Sequence, residues 1–327
     1  MKVALILLAA MGWASVASGG TSIGGSSAAF KNTEIIWLAP TNDWPRKLWV
    51  YKVVPQDFAK SVISHLLKVG SFTAKDRITV RDYIDSNDEI VFYGNANGKS
   101  RHLAICPALG FIEYHDGGAR SASQLQPVSG VPDEKDATRL GLKYLAMLGI
   151  DVSDLSRKPG KRELNMHWER QTIEYTDPQT KSDVTMTNAY GVFFLRRIDG
   201  IDVVGIGLNG GVYMSFGNEG KLIDLQLSWR DLKRDRLSEC PSPQQIDERI
   251  KEGVISLHPF GSNSPYGDRP QKLTVTKATV LYNGKHYDEK MDLIAPLARF
   301  EAVAENGTNK ESLWFESPMN VDNAIGR

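Results

Sequence analysis

The chain has 327 residues, of which 24% are charged, with Lys plus Arg and Asp plus Glu balanced at 39 each. A formal net charge of zero leaves no field to draw it to nucleic acid or anionic lipid, so no nucleic-acid partner is expected. The length allows two or three domains.

Met1-Lys2 and the apolar residues 3–10 form a positive start and a run of signal-peptide length, with Ser15 and Ala17 preceding a cleavage point after Ala17. Residues 1–17 are therefore expected to be a signal peptide and the mature protein to be secreted; an uncleaved N-terminal anchor is the alternative. No later segment approaches the ~20 apolar residues that a spanning helix needs. Residues 18–45 begin as a Gly/Ser tether and end as a Trp-rich lead-in. Trp37, Trp44 and Trp49, beside Pro40 and Pro45, offer either an exposed aromatic surface for a ligand or a segment packed onto the first core.

An N-terminal α+β unit is expected over 46–130. It opens with a strand at 48–54. A helix over 55–69 follows, with Phe58, Val62, Ile63, Leu66 and Leu67 on one face. Strands at 89–93 and 101–106 are joined through Asn97-Gly98, a hairpin signal, and a strand around 111–114 closes the sheet. A central unit over 131–236 has an acidic helix start at Pro132-Asp-Glu-Lys-Asp136 and a strand pair around 165–170 and 191–196. Asp199-Gly200 and Asn218-Glu-Gly220 then turn a β-meander. A C-terminal unit over 237–327 begins with Ser242-Pro243, an N-cap followed by proline at the first helical position. Phe92–Phe111 and Leu281–Phe300 echo each other as strand, Asn-Gly-Lys turn, strand, Pro, aromatic, which suggests a repeated unit.

The fold class expected from these patterns is α+β, in repeated units of one helix packed on an antiparallel curled sheet. The segment Arg196-Arg-Ile-Asp-Gly-Ile-Asp-Val-Val-Gly205, with Phe216-Gly-Asn-Glu-Gly-Lys-Leu222, resembles the PepSY-like or YycI/YpeB-like extracytoplasmic domains. That resemblance implies a helix across a cystatin-like sheet and a regulatory, inhibitory or binding role.

Motifs of catalysis are sparse. Gly205-Ile-Gly207-Leu-Asn-Gly210 has the form of a dinucleotide-binding loop, but the aromatic and β-branched run after it supplies no helix to cradle a pyrophosphate, so no cofactor is expected. There is no G-x-S-x-G, P-loop or H-E-x-x-H, and the six histidines lack metal-ligand spacing, so no metal is expected. His167 and Glu169 share one strand face ~6 to 7 Å apart, suited to acid–base work or to an ordinary solvated pair. Arg230 suits an anionic ligand or a strand-end ion pair with Asp231.

Cys106 and Cys240 are the only cysteines. In an oxidising compartment they are expected to form a disulfide stabilising by up to ~4 to 5 kcal/mol on a loop-entropy argument; two buried thiols are the alternative. Asn306-Gly-Thr308 is a sequon that reads either as a glycan site or as an unmodified turn.

The reading that follows is a secreted, non-catalytic protein that binds a protein, peptide, glycan or wall-associated ligand through sheet faces or a sheet edge. The alternative is a secreted enzyme or accessory factor of small-molecule metabolism, with His167 and Glu169 in a helix–sheet pocket.

Overall fold

The computed structural model describes residues 31–78, 90–96, 99–117, 129–177, 179–204, 210–252, 255, 257–259, 270–284 and 291–319. The expected leader, most of the tether, the Asn97-Gly98 turn and Gly205 to Asn209 lie outside the described residues. Among those described, the protein is mostly β, with eighteen strands and three α-helices: α1 (Lys60–Val69), α2 (Glu134–Met147) and α3 (Pro243–Lys251). The chain divides into two discontinuous units, a larger one of residues 51–233 and 284–294 and a smaller one of 1–50, 234–283 and 295–327.

The larger unit is built on one eight-stranded antiparallel sheet. Its strands run in the order Arg77–Ile78, Ile90–Ala96, Lys99–Cys106, Phe111–Asp116, Leu222–Ser228, Gly211–Phe216, Asp183–Leu195, Met166–Thr176. The expectation of repeated α+β units, each helix with its own sheet, is therefore corrected. Strand Phe111–Asp116 pairs with Leu222–Ser228 instead of closing a first sheet, so strands from the expected N-terminal and central units merge. A short sheet leaves open edges, and this pairing satisfies two of them internally. Hydrophobic alternation fixes a strand's buried side but not its neighbour, so it does not separate one merged sheet from two.

Both helices of this unit serve that single sheet. α1 buries Val62 and Leu66, and α2 buries Ala137, Gly141 and Leu145, into one core with Leu103, Ile112, Tyr114, Val192, Phe194, Val212, Met214 and Phe216. Asp133 caps α2 by accepting from the Asp136 N–H at 2.8 Å. Gly141 allows the close fit: a Cβ there would lie 2.6 Å from the Phe194 ring. Trp168 adds a hydrogen bond from Nε1 to Thr138 Oγ1 at 3.0 Å. After Gly210 the chain enters Gly211–Phe216, a strand antiparallel to both neighbours, so no nucleotide-binding crossover follows the glycines.

The smaller unit pairs Leu257–Pro259, Asn309–Pro318, Pro296–Asn306 and Lys272–Asn283 antiparallel, with Glu34–Trp37 parallel to Lys272–Asn283. α3 carries the expected cap: Ser242 and Gln245 form a reciprocal capping box and Pro243 takes the first position. Its Ile246 and Ile250 are fully buried with Phe300, Phe315, Leu273 and Val275. Trp37 and Trp44 both meet the Phe300 ring, at 5.3 and 5.7 Å, and Trp37 Nε1 donates to Asp247 at 2.7 Å. These two tryptophans are partly buried and packed against that core. Asn306 ends its strand at a tight hairpin, paired with Asn309 across Gly307, whose φ is +61°.

The expected Cys106–Cys240 disulfide is not formed. Cys106 is buried with Leu109 and Phe111, whereas Cys240 is half-buried against the Phe300 core, in the other unit. Each sulfur fills space as a small apolar side chain. No helix among the described residues is long and apolar enough to cross a membrane.

Candidate functional site: a polar ladder on the sheet face opposite the helices

Strand alternation sends one set of side chains of the eight-stranded sheet into the helix-covered core and the other set to the opposite face. Register defines two rows on that opposite face. One runs Tyr93, His102, His115, Asp224, Ser215, Gly191, Glu169; the other runs Ala104, Glu113, Gln226, Tyr213, Phe193, His167. Directly paired side chains on neighbouring strands lie ~4.5 to 5.5 Å apart, close enough to interact.

They do interact. His115 Nδ1 lies 2.5 Å from Asp224 Oδ1, and Asp224 is only 8% exposed. His102 Nε2 is 3.5 Å from Glu113 Oε2, and Gln226 Nε2 donates to Glu113 Oε1 at 3.4 Å. The His102 and His115 rings are 5.8 Å apart. Hydrogen bonding from His102 is the main reason the Glu113 carboxyl is held below its usual range, against the opposing effect of burial.

At the far end of the rows, Tyr213 Oη donates to Glu169 Oε2 at 3.2 Å and accepts from Gln171 Nε2 at 3.0 Å. The Tyr213 ring meets Phe193 at 5.7 Å between centroids. It leans over Gly191, where a Cβ would lie 2.8 Å from its hydroxyl. Burial first, and then the Glu169 carboxylate, push the Tyr213 phenol up, so it stays protonated and donates. Ser215, between Asp224 and Gly191 in its row, is fully buried, and its Oγ lies beyond ordinary hydrogen-bond distance of the described residues.

His167 and Glu169 do share a strand face, as their spacing implies, but that face is not the helix-covered one. Their neighbours Met166 and Trp168 point to the core beneath α2. Among the described residues the helix–sheet interior there is filled by Ala137, Leu145, Val192 and Phe194, and His167 and Glu169 lie on the other side of the sheet from it. Glu169 enters the Tyr213 network, and His167 is exposed at the end of its row.

Arg230 is buried, at 4% exposure, and its carbonyl accepts from Arg196 Nη1 at 2.6 Å. Arg196 stacks 4.5 Å over Trp229, and burial lowers its guanidinium to about 10 despite the nearby Asp154 and Asp231. This pair is built into the strand end.

The sequence reading missed His102, Glu113, His115, Asp224, Ser215 and Tyr213 as a group. The signal was present in the alternation of His102-Leu-Ala104, Glu113-Tyr-His115 and Asp224-Leu-Gln226, where five of the six outward positions carry a titratable or amide side chain and the sixth is Ala104. Only sheet order turns those separate alternations into one surface. Among the described residues no group of three or more His, Cys, Asp or Glu is arranged to hold a metal.

No protein-family model matches the chain, and no curated protein matches it. It is similar to an uncharacterized protein from Eubacterium rectale ATCC 33656, with 13% identity over 88% of each chain and a TM-score of 0.45. Fold and face together describe a mostly β protein whose larger unit has one helix-covered face and one polar face.

Proposed function

We propose that this chain is a secreted, non-catalytic binding protein whose ligand-contacting surface is the polar face of the eight-stranded sheet. The observation that carries the reading is the division of labour between the two sides. The helix side is an apolar core, while the other side sets out imidazole, carboxylate, amide and phenol groups over seven neighbouring strands. Tyr93 is 52% exposed at one end, and Phe193 and Tyr213 supply aromatic area near the other. Broad, shallow faces that mix aromatic anchors with fixed polar groups suit recognition of an extended polymer, either a peptide or a wall-associated chain. The leader-like residues 1–17 support export.

A test is retention of partners on the immobilised full-length protein. Tyr93→Ser and Phe193→Ser, on the polar face, are expected to abolish a retained partner. Lys135→Ser, on the exposed side of α2, is expected to leave it. Retention that ignores both face substitutions defeats the assignment. N-terminal sequencing of the culture-medium form, expected to begin at Ser18, tests export.

A further inference from the structure

The charge of the polar face is one-sided although the whole chain is neutral. Its two rows carry Glu113, Asp224 and Glu169, with His102, His115 and His167, and neither row contains a Lys or Arg. Each of two carboxylates keeps one oxygen in reserve. Asp224 uses Oδ1 for His115 and Glu169 uses Oε2 for Tyr213, while Asp224 Oδ2 and Glu169 Oε1 accept nothing from the described residues. Between them in the same row lies Ser215, whose buried hydroxyl is beyond ordinary hydrogen-bond distance of the described residues. The Tyr213 and Phe193 rings flank that interval, and aromatic faces attract cations.

We infer that the ligand of this face is a basic peptide lying across the strands, with two Lys or Arg side chains four residues apart seated at Asp224 and Glu169. This rests on the binding role proposed above for the same surface. The spacing follows from geometry. Three strand intervals separate the strand of Asp224 from that of Glu169, or ~14 Å at the usual spacing between strands. An extended peptide advances ~13 Å over four residues. Tyr213, protonated and fixed between Gln171 and Glu169, then faces the residues between the two cations.

The test uses the full chain and three acetylated, amidated pentapeptides built from Ser and Ala: lysines at positions 1 and 5, lysines at positions 1 and 2, and glutamates at positions 1 and 5. Binding is measured by calorimetry at low salt, with the imidazole resonances of His115 and His102 followed by NMR. The spaced-lysine peptide is expected to bind at least about ten-fold tighter than either control and to shift His115. The Asp224→Asn/Glu169→Gln double variant is expected to lose about ten-fold or more of that affinity. Glu169→Gln alone, at the half-buried end of the row, gives a second variant should the double variant melt early. Equal binding of the glutamate peptide, undiminished binding by the charge-neutral variants, or no binding of the spaced-lysine peptide at millimolar concentration overturns the inference. If all three peptides shift His115 alike, the cation preference falls and the binding face stands. If they shift only residues of the smaller unit, such as Trp44, both fall.

Discussion

His115 and Asp224 face each other across neighbouring strands with Nδ1 2.5 Å from Oδ1, and the aspartate is nearly buried. A carboxylate in that position fixes the ring orientation and leaves Nε2 as the imidazole atom available to other groups. Removing it strips a charged acceptor from a poorly solvated pair. Asp224→Ala is expected to lower stability by ~1.5 to 3 kcal/mol, and Asp224→Asn, which keeps a carbonyl acceptor, by less. Urea unfolding monitored by tryptophan fluorescence measures both; equal losses for the two variants would show that the charge contributes nothing.

Glu113 gives the protein a pH dependence of defined sign. Its carboxyl is held below the unfolded value, first by His102, so its stabilising contribution is present above ~4.5 and disappears as pH falls through the folded value. His102→Ala is therefore expected to be less stable than the parent near neutral pH, with the two stability curves converging as pH falls through the lowered value of Glu113 in the folded protein. Curves that stay parallel on acidification would contradict the assignment.

Gly191 has no room for a side chain beneath Tyr213. Gly191→Ala places a methyl 2.8 Å from the phenol oxygen and forces the ring away from Gln171 and Glu169. Overpacking of this kind costs ~1 to 3 kcal/mol. The displaced phenol loses the burial and the neighbouring carboxylate that raise its ionisation, so one tyrosine is expected to titrate at lower pH in the ultraviolet spectrum.

Gly141 presents two opposed effects in α2. Alanine is the better helix former by ~1 kcal/mol. Its methyl, however, would lie 2.6 Å from Phe194, a fully buried ring between helix and sheet. Steric cost exceeds propensity here, so Gly141→Ala is expected to lower the melting temperature by several degrees. A rise in Tm would mean that Phe194 has free space to move.

The cysteines are expected to behave as thiols. Burial pushes the Cys240 thiol up to about 11, so its protonated form, and the stability that goes with it, persists below ~9 and is lost as pH rises through 11. Alkylation at pH 8 is expected to be slow in the folded protein and to label both cysteines after unfolding without reductant. A requirement for reductant would restore the disulfide.

What could be read from the sequence was local. Ser242 and Pro243 announced α3, Asp133 lay within the acidic start of α2, and Asp199-Gly200 turned the chain where both residues have positive φ. These signals lie within a few residues of one another. The pairing of Phe111–Asp116 with Leu222–Ser228 joins residues more than a hundred positions apart and has no local signature. The polar face depends on that pairing, since Asp224 reaches His115 only when those strands are neighbours. That Glu169 shares a face with His167 follows from plain alternation, but which side of the sheet that face is, and Tyr213 as the donor to Glu169, required the order of three strands. Cys106 and Cys240 were joined on compartment chemistry alone, which says nothing about where packing places two sulfurs.

The interleaving of the two units constrains synthesis. The larger unit recruits Leu293–Ile294 onto Tyr51 and Lys52, so its short ribbon stays incomplete until Ile294 has left the ribosome, more than two hundred residues after its partner strand. A nascent chain of this protein cannot finish one body before starting the next, and stop codons placed before position 295 leave neither body whole.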